Sequence, residues 1–282
     1  MRTKISFIGV GNMASAILMG ITSRSEDPTL WSDVILYNRH KEKIEKYSSF
    51  GATIVDSLED AVTLADCVIL CVKPQSFSEI LPELSKIKNV EAKLFVSIAA
   101  GINTDSISSA ANNASVVRVM PNTPMLIGKG VSAVCKNELV SDTDYEFVCK
   151  IFSSAGSVIR ITEDEMDRII SVTGSSPAYV FMMIKAMYLG ACEQGLLCDE
   201  ATGKGISEKE LINCICDTVI GAAMLMKSGE KTPDEQIKTV CSKGGTTERA
   251  VAELEKYEFY KAFSEAMKKC TARAEELGSL NK

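Results

Sequence analysis

Histidine is almost missing from this chain: His40 stands alone among 282 residues, so no imidazole cluster is available to ligate a metal. The ten cysteines do not fill that gap. Their closest pair, Cys214 and Cys216, has one residue between its members, and no zinc ligand set assembles, so no metal is expected. A disulfide framework is also excluded, because Cys67, Cys71, Cys135 and Cys149 lie inside apolar runs and read as reduced core thiols. Positive charge is in deficit: 31 Lys and Arg against 37 Asp and Glu give a net charge of −6, which argues against a nucleic-acid partner. Internal repeats and low-complexity tracts are absent, and no segment is expected to span a membrane by length. Arg2 and Lys4 before the uncharged stretch from Ile5 to Ile21 look superficially like a signal peptide. Three glycines and Asn12 interrupt that stretch, and a cytoplasmic location is expected instead.

What is present is enough apolar sequence, 46% of residues, to bury a large core, over a length that suggests two domains. Short β-branched runs alternate with helical stretches through the first part, the pattern of parallel strands joined by crossover helices. Strands are expected at Lys4 to Ile8, Val34 to Tyr37, Thr53 to Val55, Cys67 to Val72, Leu94 to Ile98, Val116 to Met120, Val131 to Val134 and Val158 to Ile161. The runs from Cys67 and Leu94 have few polar positions, as strands covered on both faces do, so the sheet is expected to be doubly wound. After residue 161 the pattern turns helical, with long segments at Ser176 to Leu197, Ser207 to Ser228 and Tyr257 to Leu277. The expected division is therefore 1–161, an α/β Rossmann-like domain, and 162–282, an all-helical domain. Tyr179 to Ile184, with Ala186 and Met187, is apolar nearly all round, which predicts burial against more than one partner and a subunit interface.

Gly9-Val10-Gly11-Asn12-Met13-Ala14 follows the first strand and opens a helix, matching the Gly-x-Gly-x-x-(Gly/Ala) dinucleotide fingerprint. Gly9 permits the tight turn, Gly11 lets a pyrophosphate approach the backbone, and the helix N-terminus favours the anion. The second strand ends in Asn38-Arg39-His40-Lys41 with no carboxylate for ribose hydroxyls, whereas Arg39 can grip a ribose phosphate, so NADPH is favoured over NADH. A solvated basic helix start would read the same. Val72-Lys73-Pro74 and Ala99-Ala100-Gly101 end later strands on the side where a nucleotide would extend. At Met120-Pro121-Asn122-Thr123-Pro124 two prolines fix a rigid loop; Asn122 either positions the nicotinamide or serves the turn alone.

Two polar loops precede helices in the second half. Gly174-Ser175-Ser176-Pro177 reads as a loop, a cap at Ser176 and Pro177 at the first helical position, leaving free backbone donors. Cys241-Ser242-Lys243-Gly244-Gly245-Thr246-Thr247 suits the wrapping of a small carboxylate by N–H groups and hydroxyls. Each alone reads equally as an interhelical turn; the pair suggests an anionic substrate clamp.

Together these residues resemble the pyrroline-5-carboxylate reductase family from end to end: Ile8 to Ala14, Val72-Lys73-Pro74, Ala99-Ala100-Gly101, Met120 with Asn122-Thr123-Pro124, Thr173 to Tyr179, Gly221-Ala222-Ala223 and Ser242 to Thr247. Family members commonly have Gly-Ser-Gly-Pro-Ala-Tyr and Ser-Pro-Gly-Gly-(Thr/Ala)-Thr, from which Ser176 and Lys243 depart. Leu58 stands where many relatives have a polar residue near the adenosine. The resemblance implies reduction of 1-pyrroline-5-carboxylate to L-proline with NADPH, NADH being the weaker alternative, as the last step of proline biosynthesis. It implies a helical domain interlocked with a second subunit in a homodimer, frequently within a ring of dimers. It places cofactor contacts at Ile8, Gly9, Gly11, Asn12, Met13, Asn38, Arg39, Cys71, Val72, Lys73, Pro74, Ala99, Ala100 and Asn122. Substrate contacts fall at Glu163, Ser175, Thr239, Ser242, Gly245, Thr246 and Thr247, with Thr247 the catalytic group at the imine nitrogen. A lone histidine is consistent with imine reduction, where the nitrogen carries its proton before hydride arrives, and disfavours a histidine acid. A hydroxyacid-type dehydrogenase using Lys185, and an NADP-sensing dimer without turnover, share the same two-domain plan.

Overall fold

A computed structural model describes residues 4–21, 33–198 and 203–279; Arg2 lies outside them. The chain divides into two compact units, Met1–Pro177 with Met267–Lys282, and Ala178–Ala266.

The first unit is built on one eight-stranded sheet. Its strands are β1 (Lys4–Ile8), β2 (Asp33–Tyr37), β3 (Thr53–Ile54), β4 (Cys67–Leu70), β5 (Leu94–Ser97), β6 (Ser115–Met120), β7 (Gly130–Lys136) and β8 (Gly156–Arg160), in the order β3-β2-β1-β4-β5-β6-β7-β8. Every expected strand is present, with ends shifted by a residue or two. The order reverses at β1, which pairs in parallel with both β2 and β4, and this creates the crevice at their carboxyl ends. One junction departs from the expected parallel pattern: β7 runs antiparallel to β6. The link between them, residues 121–129, contains only a short turn of 3-10 helix, and a parallel return needs a crossover of a dozen or more residues.

Helices cover both faces. On one, α1 (Asn12–Met19) and α5 (Asp142–Ser153) bring Ile17, Val148, Ile151 and Phe152 against Ile5, Phe7, Leu36 and Ile69. On the other, α2 (Leu58–Thr63), α3 (Phe77–Leu84) and α4 (Thr104–Ala110) bring Val62, Phe77, Leu84 and Ile107 against Ile8, Val68, Leu70 and Phe95. Each fully buried Phe or Ile contributes about 1.5–3 kcal/mol of hydrophobic stabilisation. Side-chain caps fix the helix starts: Ser57 accepts from the Asp60 N–H at 3.0 Å, Asn103 from Ser106 at 2.8 Å and Ser141 from Asp144 at 3.1 Å.

Beyond β8 the chain forms α6 (Met166–Ile169) and a π turn (Ile170–Gly174), which still belong to the first unit: Met166 and Ile170 pack with Met120, Ala133 and Cys135, as does Ala274 from the C-terminal segment. The compact division thus falls later than the boundary expected after residue 161, because the chain buries one more helical turn on β6 and β7 before leaving the sheet.

The second unit is helical, formed from most of α7 (Ser176–Glu193), then α8 (Glu208–Ser228), α9 (Pro233–Val240), α10 (Thr246–Lys256) and the start of α11 (Phe259–Ser279). Leu211 and Ile215 are its only buried hydrophobic residues among those described, while Phe181, Met182, Met224, Leu225 and Val240 are each more than 60% exposed. One chain therefore gives this unit no sufficient core. The expectation that no segment could span a membrane by length needs correcting: the helical run Glu163–Glu193 and α8 are both long and apolar enough. The expected segments from Ser176 to Leu197 and from Ser207 to Ser228 already reach the roughly 20 residues a bilayer needs, and the π turn joins the first to α6 in one 31-residue run. The ten cysteines form no disulfide; Cys67, Cys135 and Cys149 are buried core thiols and Cys71 is half-buried against the core, whereas Cys198 and Cys214 are exposed.

Candidate functional site

The glycine turn after β1 is built as its sequence demands. Gly9 has φ +84°, its N–H donates to the Tyr37 carbonyl at 2.9 Å, and a Cβ there would meet Val72 Cγ1 at 2.6 Å, so β1 and β4 close upon a residue without a side chain. Val10 donates its N–H to Asn38 Oδ1 at 3.1 Å, and Asn38 Nδ2 donates to the His40 carbonyl at 2.8 Å. Gly11 is the N-cap of α1, with no side chain capping the helix, and a Cβ added to it would meet no atom within 4 Å. It borders instead an open cleft of about 860 Å³. Uncapped first-turn N–H groups facing such a space fit a pyrophosphate.

Of the expected cofactor contacts, Ile8, Gly9, Gly11, Asn12, Asn38, Arg39, Cys71, Val72 and Lys73 line this cleft. Leu58, the departure near the adenosine, lines it too. Met13 packs against the core beneath α1, Pro74 opens the short turn after Lys73, and Ala99 is buried behind the sheet with Ala100 packed beside Met120. Asn122 is buried at the foot of β7, where its Oδ1 accepts from the Val131 N–H at 2.8 Å and its Nδ2 donates to the Thr173 carbonyl at 2.9 Å. These bonds tie the proline loop to the π turn, the duty of a turn residue. Burial pushes the Cys71 thiol far up, so it is a neutral wall of the cleft at any physiological pH.

Several lining residues were not singled out from sequence: Ser15, which accepts from Tyr47 Oη at 2.8 Å, Lys43, Lys46, Glu79 and Glu83. Arg39 forms an ion pair with Glu79 of α3. The lysines carried a signal, since they continue the basic run after β2; Glu79 carried none, being 40 residues from its partner.

Of the expected substrate contacts, Glu163 and Ser175 lie in the first unit and the others in the second. Glu163 is half-buried and paired with Arg118 Nη1 at 2.7 Å; Asp167 takes Arg118 Nη2 at 2.9 Å, and the Cys135 thiol donates to Glu163 at 3.3 Å. Arg118 is 3% exposed, and its Nε–H is buried without a partner. Ser175 accepts from the Cys270 thiol at 3.1 Å. The cap expected at Ser176 is absent because the helix does not start there. The π turn runs directly into α7, and the Ser175 N–H is consumed by the Ile170 carbonyl at 2.8 Å.

The second loop does end at a fresh helix start. Gly244 has φ +73° and donates its N–H to the Glu248 carboxylate at 2.6 Å, while Gly245 donates to the Ser242 carbonyl at 2.9 Å and is the N-cap of α10. Ser242, Lys243 and Thr246 are exposed. Thr247 is half-buried at the edge of an apolar pocket of about 390 Å³ shared with Ala222, Met226, Val240 and Cys241. Thr239 is occupied within α9, donating to the Glu235 carbonyl at 2.8 Å and accepting from Lys231 at 2.9 Å.

Comparison with known proteins matches the chain in two parts. Residues 163–277 match the family described as pyrroline-5-carboxylate reductase dimerisation, and residues 4–101 the one described as NADP oxidoreductase, coenzyme F420-dependent. The chain is 35% identical to the pyrroline-5-carboxylate reductase of Escherichia coli K12 over 98% of this chain and 99% of that protein. It is 30% identical to the one of Arabidopsis thaliana over 97% and 95%. The crystal structure of Plasmodium falciparum pyrroline carboxylate reductase with NADP bound superposes with a TM-score of 0.85 at 25% identity, covering 98% of each chain. That of the Streptococcus pyogenes 1-pyrroline-5-carboxylate reductase gives 0.84 at 29% identity, covering 97% of this chain and 98% of that one. From its first strand to its last helix, the chain belongs to the pyrroline-5-carboxylate reductase family.

Proposed function

We propose that this protein reduces the cyclic imine 1-pyrroline-5-carboxylate to L-proline with NADPH, the last step of proline biosynthesis, in the cytoplasm. The observation that carries the reading is the match along both whole chains to pyrroline-5-carboxylate reductases. The open cradle at Gly11 and the basic rim around Arg39, Lys43 and Lys46 support a phosphorylated dinucleotide as reductant, with NADH a poorer one. When bound, NADPH supplies the hydride. Residues 1–161 hold it, and residues 162–282 carry the substrate and the self-association.

The chain's own work is orientation and charge capture. Ser242 and Thr246 hold the substrate carboxylate at the N-terminus of α10, where first-turn N–H groups have no intrahelical acceptor, and Gly245 shapes the loop through its N–H bond to the Ser242 carbonyl. The Thr247 hydroxyl aligns the imine nitrogen, with the apolar pocket beside it suited to ring methylenes. Glu163 acts through Arg118, and Ser175 and Thr239 border the substrate. His40 pairs with Glu42 at 3.5 Å on the cofactor rim, so no imidazole is assigned a proton-transfer role.

The exposed apolar faces of α7 and α8 support a homodimer, and these dimers can close into a ring. A bilayer is the poorer partner for them, since the family model named for dimerisation spans both long apolar runs. The decisive assay is NADPH oxidation with 1-pyrroline-5-carboxylate, run beside NADH. Tight NADPH binding with no turnover of the imine would overturn the catalytic reading and leave a nucleotide-sensing dimer.

A further inference from the structure

The geometry points to Glu79 as the residue that moderates the choice between NADPH and NADH, an inference resting on the reading of the cleft as a nicotinamide-dinucleotide site. In a sheet with its glycine turn after β1, the adenosine ribose is read at the end of β2, and a carboxylate there accepts from its hydroxyls. β2 supplies none, since Asn38 and Arg39 follow Tyr37. The carboxylate arrives from elsewhere: Glu79, in the first turn of α3, lines the same cleft and pairs with Arg39.

This pair gives the rim two states. Against a 2′-phosphate, Glu79 is a like charge beside the guanidinium that must grip the anion, and its hold on Arg39 has to be given up or shared. Against a free ribose, the same carboxylate is an acceptor for the 2′-hydroxyl. Both partners are largely exposed, at 72% and 64%, so the pair is weak enough to open. Arg39, Lys43, Lys46 and Lys73 outnumber Glu79 and Glu83 along the cleft. The phosphate is therefore still preferred, by a margin that Glu79 keeps small.

The test uses the full-length protein and two adenosine probes, 2′,5′-ADP and 5′-AMP, so that it does not depend on imine turnover. Glu79→Gln removes the charge and Glu79→Ala the side chain; the position is exposed, and circular dichroism checks the fold. Glu79→Gln is expected to tighten 2′,5′-ADP by about two- to fivefold, the scale of one exposed charge interaction, and to raise the NADPH-to-NADH ratio of kcat/KM by a similar factor. Glu79→Ala is expected to weaken 5′-AMP while still tightening 2′,5′-ADP. Parallel changes for both probes, no change in either, or weaker 2′,5′-ADP binding by Glu79→Gln would each overturn the inference. If the wild-type protein failed to reduce the imine yet the probes separated as expected, the proposed reaction would fall and the role of Glu79 would stand.

Discussion

Val10 and Asn38 are joined by a 3.1 Å hydrogen bond from a backbone N–H to a side-chain oxygen, so the glycine turn proposed for the pyrophosphate is held by the residue next to the one proposed for the ribose. On that proposal Asn38 sets the turn and Arg39 beside it discriminates. Asn38→Ala is expected to weaken NADPH and NADH alike, by about 1 kcal/mol for the lost bond. Arg39→Asp is expected to penalise NADPH chiefly, by about 1–3 kcal/mol. Michaelis constants for both cofactors decide; an Asn38→Ala defect confined to NADPH would contradict this division.

The two glycines of the turn should fail differently. Gly9→Ala forces a side chain into φ +84° and onto Val72, a backbone penalty of about 1–2 kcal/mol before any clash, and should lower the melting temperature. Gly11→Ala has an ordinary φ of −95° and no atom within 4 Å of the new methyl, so it should melt as the wild type does and lose dinucleotide binding. Thermal melts with and without NADPH separate the two; a destabilised Gly11→Ala would mean that the cleft is not open as described.

At the substrate loop the expected signatures also diverge. Thr247→Ala should lower kcat, because a hydroxyl aligning the reacting bond matters most as hydride transfers, and Ser242→Ala should mainly raise KM, since a carboxylate contact is made equally before and during reaction. Each should cost about 1–3 kcal/mol. Single-turnover kinetics show the difference, and an unchanged hydride step in Thr247→Ala removes that residue from its role.

Stability should fall in alkali. Burial holds the thiols of Cys71, Cys135 and Cys149 above the ordinary cysteine value, with Glu163 adding to the effect at Cys135, and pushes Tyr145 up to about 12. The unfolded chain releases these protons from about pH 8.5 for cysteine and about pH 10 for tyrosine, where the native state keeps them. Fewer protons bound to the unfolded state means stability that is complete below about pH 8.5 and declines as pH rises. Urea midpoints measured from neutral pH upward should drop across that window; a flat or rising series would refute the burial of these groups.

The sequence made the sheet legible because β-branched runs such as Cys-Val-Ile-Leu from Cys67 have few competing conformations, and its glycine turn legible because Gly9 occupies a backbone region closed to other residues. Strand direction was not written in that pattern: β7 looks like any other apolar run, and only the shortness of residues 121–129 reverses it. Arg118 was hidden within a strand of valines, although a lone arginine at an inward position of an apolar strand is itself a sign of buried carboxylates. Glu79 was beyond reach, because its meaning comes from Arg39, which the fold alone brings to it. Ser176 misled for the opposite reason: serine before proline is a sound helix start, but the preceding π turn had already supplied the helix.

The bare faces of α7 and α8 include Met182, Met187 and Met224, exposed by 71%, 40% and 65%. Thioethers are soft, and oxidation turns a flexible apolar side chain into a polar one. Met182, Met187 and Met224 are therefore open to oxidation wherever the chain stands alone, and a sulfoxide there would fall on the faces proposed for self-association. Pairing through those faces would shelter the same sulfurs.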